Sequence, residues 1–111
     1  KSDLDLKTFM TTCWGSIYNR GDYSELHAHV PALYSWVYYV KVDDDAAPLH
    51  FPHEPGMYYK PKSGDGIIFP GWLSHQVQQH QSDNERIIVV GNVEGTGAIS
   101  YPQRSFTDVN L

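Results

Sequence analysis

The sequence predicts an all-β fold, and three observations carry that prediction. Seven Pro and nine Gly are scattered along the 111 residues and cut the chain into short pieces. The pieces are rich in β-branched and aromatic residues, with eight Tyr in the chain, and such side chains suit a pleated, half-buried surface. No stretch of ten or more residues repeats its apolar positions with the 3.6-residue period of a helix.

The strands follow in order. Thr8 to Tyr18, carrying Phe9, Met10, Cys13, Trp14, Ile17 and Tyr18, reads as one or two strands. Asn19-Arg20-Gly21-Asp22 is a turn, because Asn, Gly and Asp tolerate turn dihedrals. Glu25 to Val30 is a short strand ended by Pro31. Leu33 to Val42 is the clearest strand, with Trp36-Val37-Tyr38-Tyr39-Val40 at its centre. Asp43-Asp44-Asp45 makes a charged turn. Leu49 to Phe51 and Gly56 to Lys60 are short strands closed by Pro52 and Pro61. After the turn Lys62 to Gly66 come Ile67 to Phe69, a break at Pro70-Gly71, and a strand from Leu73 to Gln78. Gln79 to Glu85 is a polar loop, and Arg86 to Val93 is a strong strand. The tail adds a candidate strand around Ile99 and Tyr101, loose after Pro102.

About eight short strands in so small a chain mean a sandwich, a jelly roll or a small barrel. Residues 1–111 are expected to form a single domain. With so small a core, the Trp and Tyr residues are expected to supply much of the burial.

The formal charge of −5 argues against a non-specific nucleic-acid binder, which normally shows a basic face. No run of about 18 apolar residues suggests a membrane span. Lys1 to Lys7 lacks the pattern of a signal peptide, and a start without Met reads as a processed or trimmed piece. Cys13 is the only cysteine, which precludes an intrachain disulfide and fits a reducing compartment. Cys13 is expected to be a small buried apolar residue.

The chemistry concentrates in His27-Ala-His29, His75 and Arg86. Residues i and i+2 of a strand point the same way, so His27 and His29 are expected to aim two imidazoles at one point. Neutral imidazole is a common ligand for iron, copper and zinc, and His75 on a facing strand would complete a set. Alternation also puts Arg86, Ile88, Val90 and Asn92 on one face, where the arginine's planar fork matches a carboxylate. Spacing alone leaves a second reading open: a chance His-x-His pair and a hydrogen-bonded core histidine at 75. Glu25 shares the expected face of His27 and His29 and is the nearest alternative ligand. His50, His53 and His80 read as surface or loop residues. The Asp43–Asp45 run needs no ligand beyond a hairpin turn.

The blocks Gly21 to Pro31, Ser35 to Val40, Gly66 to His75 and Glu85 to Asn92 occur together in one order. They resemble the small 2-oxoglutarate/Fe(II)-dependent oxygenases of marine bacteria and their phages, relatives of the prolyl hydroxylases. The resemblance covers about residues 14 to 93. It implies a double-stranded β-helix, the jelly-roll, cupin-like barrel. It also implies a dioxygenase, in particular a hydroxylase, that uses Fe(II) and the co-substrate 2-oxoglutarate, with ascorbate as an accessory cofactor.

Carried over by position, His27 is the first metal ligand and His75 the distal one. His29 stands where the wider superfamily has a carboxylate, so the resemblance implies either a three-histidine centre or a site completed by a group such as Glu25. Arg86 matches the basic residue that holds the far carboxylate of 2-oxoglutarate, and Tyr39 a position that hydrogen-bonds it. Tyr18, Ser35 and Asn92 fall where pocket-lining residues are expected. The implied partner is a small-molecule or peptide substrate, and the implied setting is the cytoplasm of a bacterium or a phage-infected host. No nucleic-acid or membrane partner is expected, and edge-strand pairing is a route to a homodimer. Two rivals share the barrel: a cupin with another metal-dependent activity, and a non-enzymatic jelly-roll module. The cupin pattern lacks its glutamate after His29 and does not require Arg86.

Overall fold

The computed structural model describes residues 6–97. Eight strands form along the chain: β1 (Leu6–Tyr18), β2 (Ser24–His27), β3 (Tyr34–Lys41), β4 (Leu49–His50), β5 (Tyr58–Tyr59), β6 (Gly66–Pro70), β7 (His75–Val77) and β8 (Arg86–Gly97). They make two four-stranded antiparallel sheets, ordered β1-β8-β3-β6 and β2-β7-β4-β5. Every connection except β4 to β5 crosses from one sheet to the other. That alternation is the double-stranded β-helix, a jelly roll, as expected. Among the described residues no helix is long and apolar enough to cross a membrane. The candidate strand around Ile99 and Tyr101 lies outside the described residues.

The strand boundaries are where the sequence expectations shift. Thr8 to Tyr18 is part of one long strand, with a register slip between Met10 and Thr12. The strand expected over Glu25–Val30 ends at His27, so His29 sits in the loop beyond it. The cause is local: the His29 N–H donates to the Gly71 carbonyl (2.8 Å), and the Ala32 N–H donates back to the His29 carbonyl (2.7 Å). Those bonds turn the chain away from the sheet; the Val30–Pro31 peptide in this turn is cis.

The first sheet is built on β8, which pairs with β1 on one side and β3 on the other. Directly paired residues share a face, so the inner surface can be read as cross-strand rows. Tyr18 faces Arg86; Ser16, Ile88 and Tyr39 follow; then Trp14, Val90 and Val37; then Thr12, Asn92 and Ser35. From these rows Val37, Tyr39, Ile88 and Val90 join Leu49, Phe51, Phe69, Leu73 and Val77 in one core between the sheets.

Tryptophan contributes little to that core. Trp14 and Trp72 stay 40% and 53% exposed. Among the described tyrosines only Tyr39 is fully buried, while Tyr34, Tyr38 and Tyr58 are exposed. Aliphatic and Phe side chains do most of the filling, because the inward positions of β3, β6 and β8 carry them. Cys13 is exposed, contrary to its expected burial, since alternation along β1 turns Thr12, Trp14, Ser16 and Tyr18 inward and Cys13 to the outer face. His80 is buried rather than on the surface: its Nε2–H donates to the Asn84 carbonyl (2.6 Å), and its backbone bonds Gly21 and Asp22.

On the outer face, the Trp36 indole lies across Gly91, its partner on β8, and a Cβ at that position would overlap the ring. Gly91→Ala is expected to force the indole out of place and cost about 1–3 kcal/mol. A urea titration should show a lower midpoint with an unchanged slope.

Candidate metal centre and anion pocket

One cavity of about 180 Å³ opens between the sheets. It is smaller than the roughly 300–1,000 Å³ of pockets for drug-sized ligands, and so suits a small ligand. His27, His29 and His75 stand at one side, and Tyr18, Tyr39 and Arg86 line the same space. Val37, Leu49, Phe69, Val77, Ile88 and Val90 form apolar walls, and among the described residues no Asp or Glu lines the cavity.

Sheet pairing brings the histidines together. His27 on β2 and His75 on β7 are directly opposed, which cancels their distance in sequence. His29 joins them from its anchored loop, so the simple alternation expected for the His-x-His pair is not what positions it. The ring centroids are 4.8 Å apart for His27 and His29, 4.4 Å for His27 and His75, and 5.1 Å for His29 and His75. Their potential ligand atoms all lie within 4.8 Å of one another. A metal–nitrogen bond of about 2.0–2.1 Å needs a modest closing rotation of these rings.

Two rings have their tautomers set by carbonyls. His27 Nδ1 lies 2.6 Å from the Glu25 carbonyl and His75 Nδ1 lies 3.0 Å from that of Leu73. A carbonyl only accepts, so each Nδ1 carries the proton and each Nε2 keeps its lone pair for a metal. Burial lowers the His75 pKa to about 4, with the Leu73 bond opposing the shift and the other two histidines adding to it. Burial, then His27, lowers that of His29. The set is graded: His75 is buried, His29 half-buried and His27 exposed.

Glu25 does not join the set. A register slip between Ser24 and His27 lets those two line the cavity, and Glu25 turns to a groove on the outer side with Tyr23, Leu26, Gln76 and Gln78.

At the far end Arg86 is 1% exposed. Its Nη1 donates to the Ala47 carbonyl (2.7 Å), and its Cζ lies 5.6 Å from the ring centres of both Tyr18 and Tyr39. Its Nε is buried without any hydrogen-bond partner. Among the described residues the one ion pair is Arg20–Asp83, on the surface, so Arg86 has no carboxylate partner there. Burial pushes the Tyr39 phenol up to about 12, and the nearby guanidinium only partly opposes this. Tyr39 therefore keeps its proton and can donate it to an anion.

Ser35 and Asn92 are placed differently. Ser35 Oγ donates to Asn92 Oδ1 (2.9 Å), and Asn92 Nδ2 donates to Thr12 Oγ1 (3.1 Å). They tie three strands together and are not among the residues lining the cavity. Trp14, Ser16 and Ser24 do line it, and sequence reasoning missed them. Alternation back from Tyr18 along β1 points to Ser16 and Trp14; the slip in β2 hides Ser24. His50 bonds Gln76 and stacks on Tyr58 away from the cavity, and exposed His53 sits in the following loop. The Asp43 carboxylate accepts from Ser82 and Asn84, and the acidic run lies in a loop between the two sheets rather than in the expected hairpin turn, since β3 and β4 do not pair.

Residues 45–92 match the model of the family described as "Putative 2OG-Fe(II) oxygenase". That span holds His75 and Arg86, and the match bears out the resemblance read from the sequence. The fold is similar to an oxidoreductase of the 2OG-Fe(II) oxygenase family from Burkholderia pseudomallei, with TM-score 0.69, 17% identity, 83% of this chain covered and 47% of the other. It is also similar to a truncated form of the viral collagen prolyl hydroxylase from Paramecium Bursaria Chlorella virus-1, with TM-score 0.68, 19% identity, 82% of this chain covered and 58% of the other. The chain thus spans about half the length of these solved structures. No curated protein matches it in sequence.

A Cβ at Gly71 would overlap the Ala32 carbonyl oxygen, and Gly71 is the residue that anchors His29. Gly71→Ala is therefore expected to displace the His29 loop. Calorimetric titration with Co²⁺ should show affinity falling about tenfold or more, the scale of lost support around a metal ligand.

Proposed function

We propose that this chain, which carries the 2OG-Fe(II) oxygenase pattern over residues 45–92, is the catalytic barrel of a 2-oxoglutarate- and Fe(II)-dependent oxygenase, a hydroxylase. One observation supports the reading above the others: a buried guanidinium with a partnerless Nε shares a cavity with three convergent imidazoles. A buried charge is costly unless paired, so Arg86 calls for an anion. A ligand with one carboxylate at Arg86 and a chelating end at the histidines satisfies both groups at once, and a short dicarboxylic keto acid has that form.

His27, His29 and His75 would hold the iron, offering Nε2 from His27 and His75. When bound, iron and 2-oxoglutarate supply the oxidising power, drawn from dioxygen and coupled to conversion of the keto acid to succinate and carbon dioxide. The chain's own tasks are positional. Arg86 binds the far carboxylate through its fork, and Tyr39 donates its phenolic proton to the same group. The apolar walls exclude water from the space between, which strengthens those charge-assisted bonds. The exposed His27 edge leaves one side of the centre open, and Trp14, 6.3 Å from His29 between ring centres, offers an apolar surface there. On this reading the substrate is a small molecule or peptide, ascorbate maintains reduced iron, and the enzyme works in the cytoplasm.

Incubation with Fe(II), 2-oxoglutarate and oxygen should yield succinate even without substrate; no succinate and no 2-oxoglutarate binding would reject the reading. Arg86→Met keeps the stem's packing and removes the charge. It should weaken 2-oxoglutarate binding by about 2–5 kcal/mol, roughly 30-fold or more in Kd, with metal affinity retained. Tyr39→Phe should weaken it by about tenfold, the scale of one hydrogen bond to a charged group.

A further inference from the structure

We propose that His29 gives this centre an all-imidazole, uncharged ligand set, and that it thereby sets which divalent ion the site prefers. The proposal rests on the reading of the histidine triad as the metal site and extends it to selectivity.

Three observations carry it. Among the described residues, the group able to hold a metal is His27, His29 and His75, with no carboxylate in it. The cavity around them has no acidic lining residue either, and Glu25, the nearest acid in sequence, faces the outer groove. His29 is also a built feature. Its N–H is fixed to Gly71 and its carbonyl to Ala32, and its ring lies nearly parallel to His75, at 19°.

Ligand chemistry supplies the consequence. Carboxylate and water oxygens suit Mn²⁺, whereas imidazole suits Fe, Ni, Cu and Zn. Exchanging one carboxylate for imidazole shifts preference toward the later ions. It also removes one negative charge. Three neutral imidazoles leave a bound ion its full double charge, and Arg86 adds another positive charge to the same cavity. The balancing charge must then come from the ligand, which favours a doubly anionic one over a neutral or singly charged molecule.

The test uses the full chain stripped by chelator, with no 2-oxoglutarate present. X-ray absorption of the Co²⁺-loaded protein should count three imidazoles; two would overturn the proposal. Calorimetry with Co²⁺ and Mn²⁺ should then compare wild type with His29→Asp, after circular dichroism confirms the fold. The variant should narrow the Mn²⁺/Co²⁺ ratio of Kd values about tenfold or more. An unchanged ratio in the folded variant would overturn the proposal. So would a loss of affinity in Glu25→Gln, which would make Glu25 the third ligand. Three imidazoles without any 2-oxoglutarate binding would reject the oxygenase reading and leave this one standing. Two imidazoles with tight 2-oxoglutarate binding would do the reverse.

Discussion

Strand β8 is the constraint on which the site depends. It pairs with β1 on one side and β3 on the other, so a single register decides what three strands present to the interior. Shifting it by one residue would turn Arg86, Ile88 and Val90 outward together and bring Ile87 and Val89 in. The row Thr12–Asn92–Ser35 guards against that slip. Its two hydrogen bonds close only when Asn92 stands opposite both partners. A buried hydroxyl without its amide would carry a desolvation cost of about 1–3 kcal/mol. Ser35 and Asn92 thus earn an explanation in register rather than in ligand contact.

The two ends of the cavity are built by opposite means. At the Arg86 end the loops are laced to one another. His80 bonds Gly21, Asp22 and Asn84, and Asp43 reaches Ser82 and Asn84. Ala47 receives the guanidinium. These bonds fix a charged group deep in the protein, where its orientation matters most. The exposed Arg20–Asp83 pair crosses the same loops but contributes little by comparison, as exposed ion pairs do. At the histidine end the support is sheet pairing for His27 and His75, and one loop anchor for His29.

Much of this was legible in the sequence, for a definite reason. Strand content follows from Pro and Gly punctuation and from period-two patterning, both local, and the inward face of β8 could be counted from Arg86 onward. His75 and Arg86 sit in the patterned blocks that family resemblance reads best. What stayed hidden depends on non-local hydrogen bonding. The slip in β2 set aside Glu25 and brought in Ser24, and no feature of Ser24–His27 announces it. The bond from His29 to Gly71 spans two loops and replaced strand alternation as the reason His29 points inward. Aromatic residues misled in one respect: Trp14 and Trp72 looked like core and are exposed, Trp14 although it faces inward, because it lines the open cavity beside His29 rather than the packed core.

The laced floor has a steric corollary. Arg86 is buried in the cavity and His27 is exposed, so on the proposed reading an anion held by the guanidinium lies deeper than a guest resting on Trp14. The outer guest would then stand between that anion and solvent.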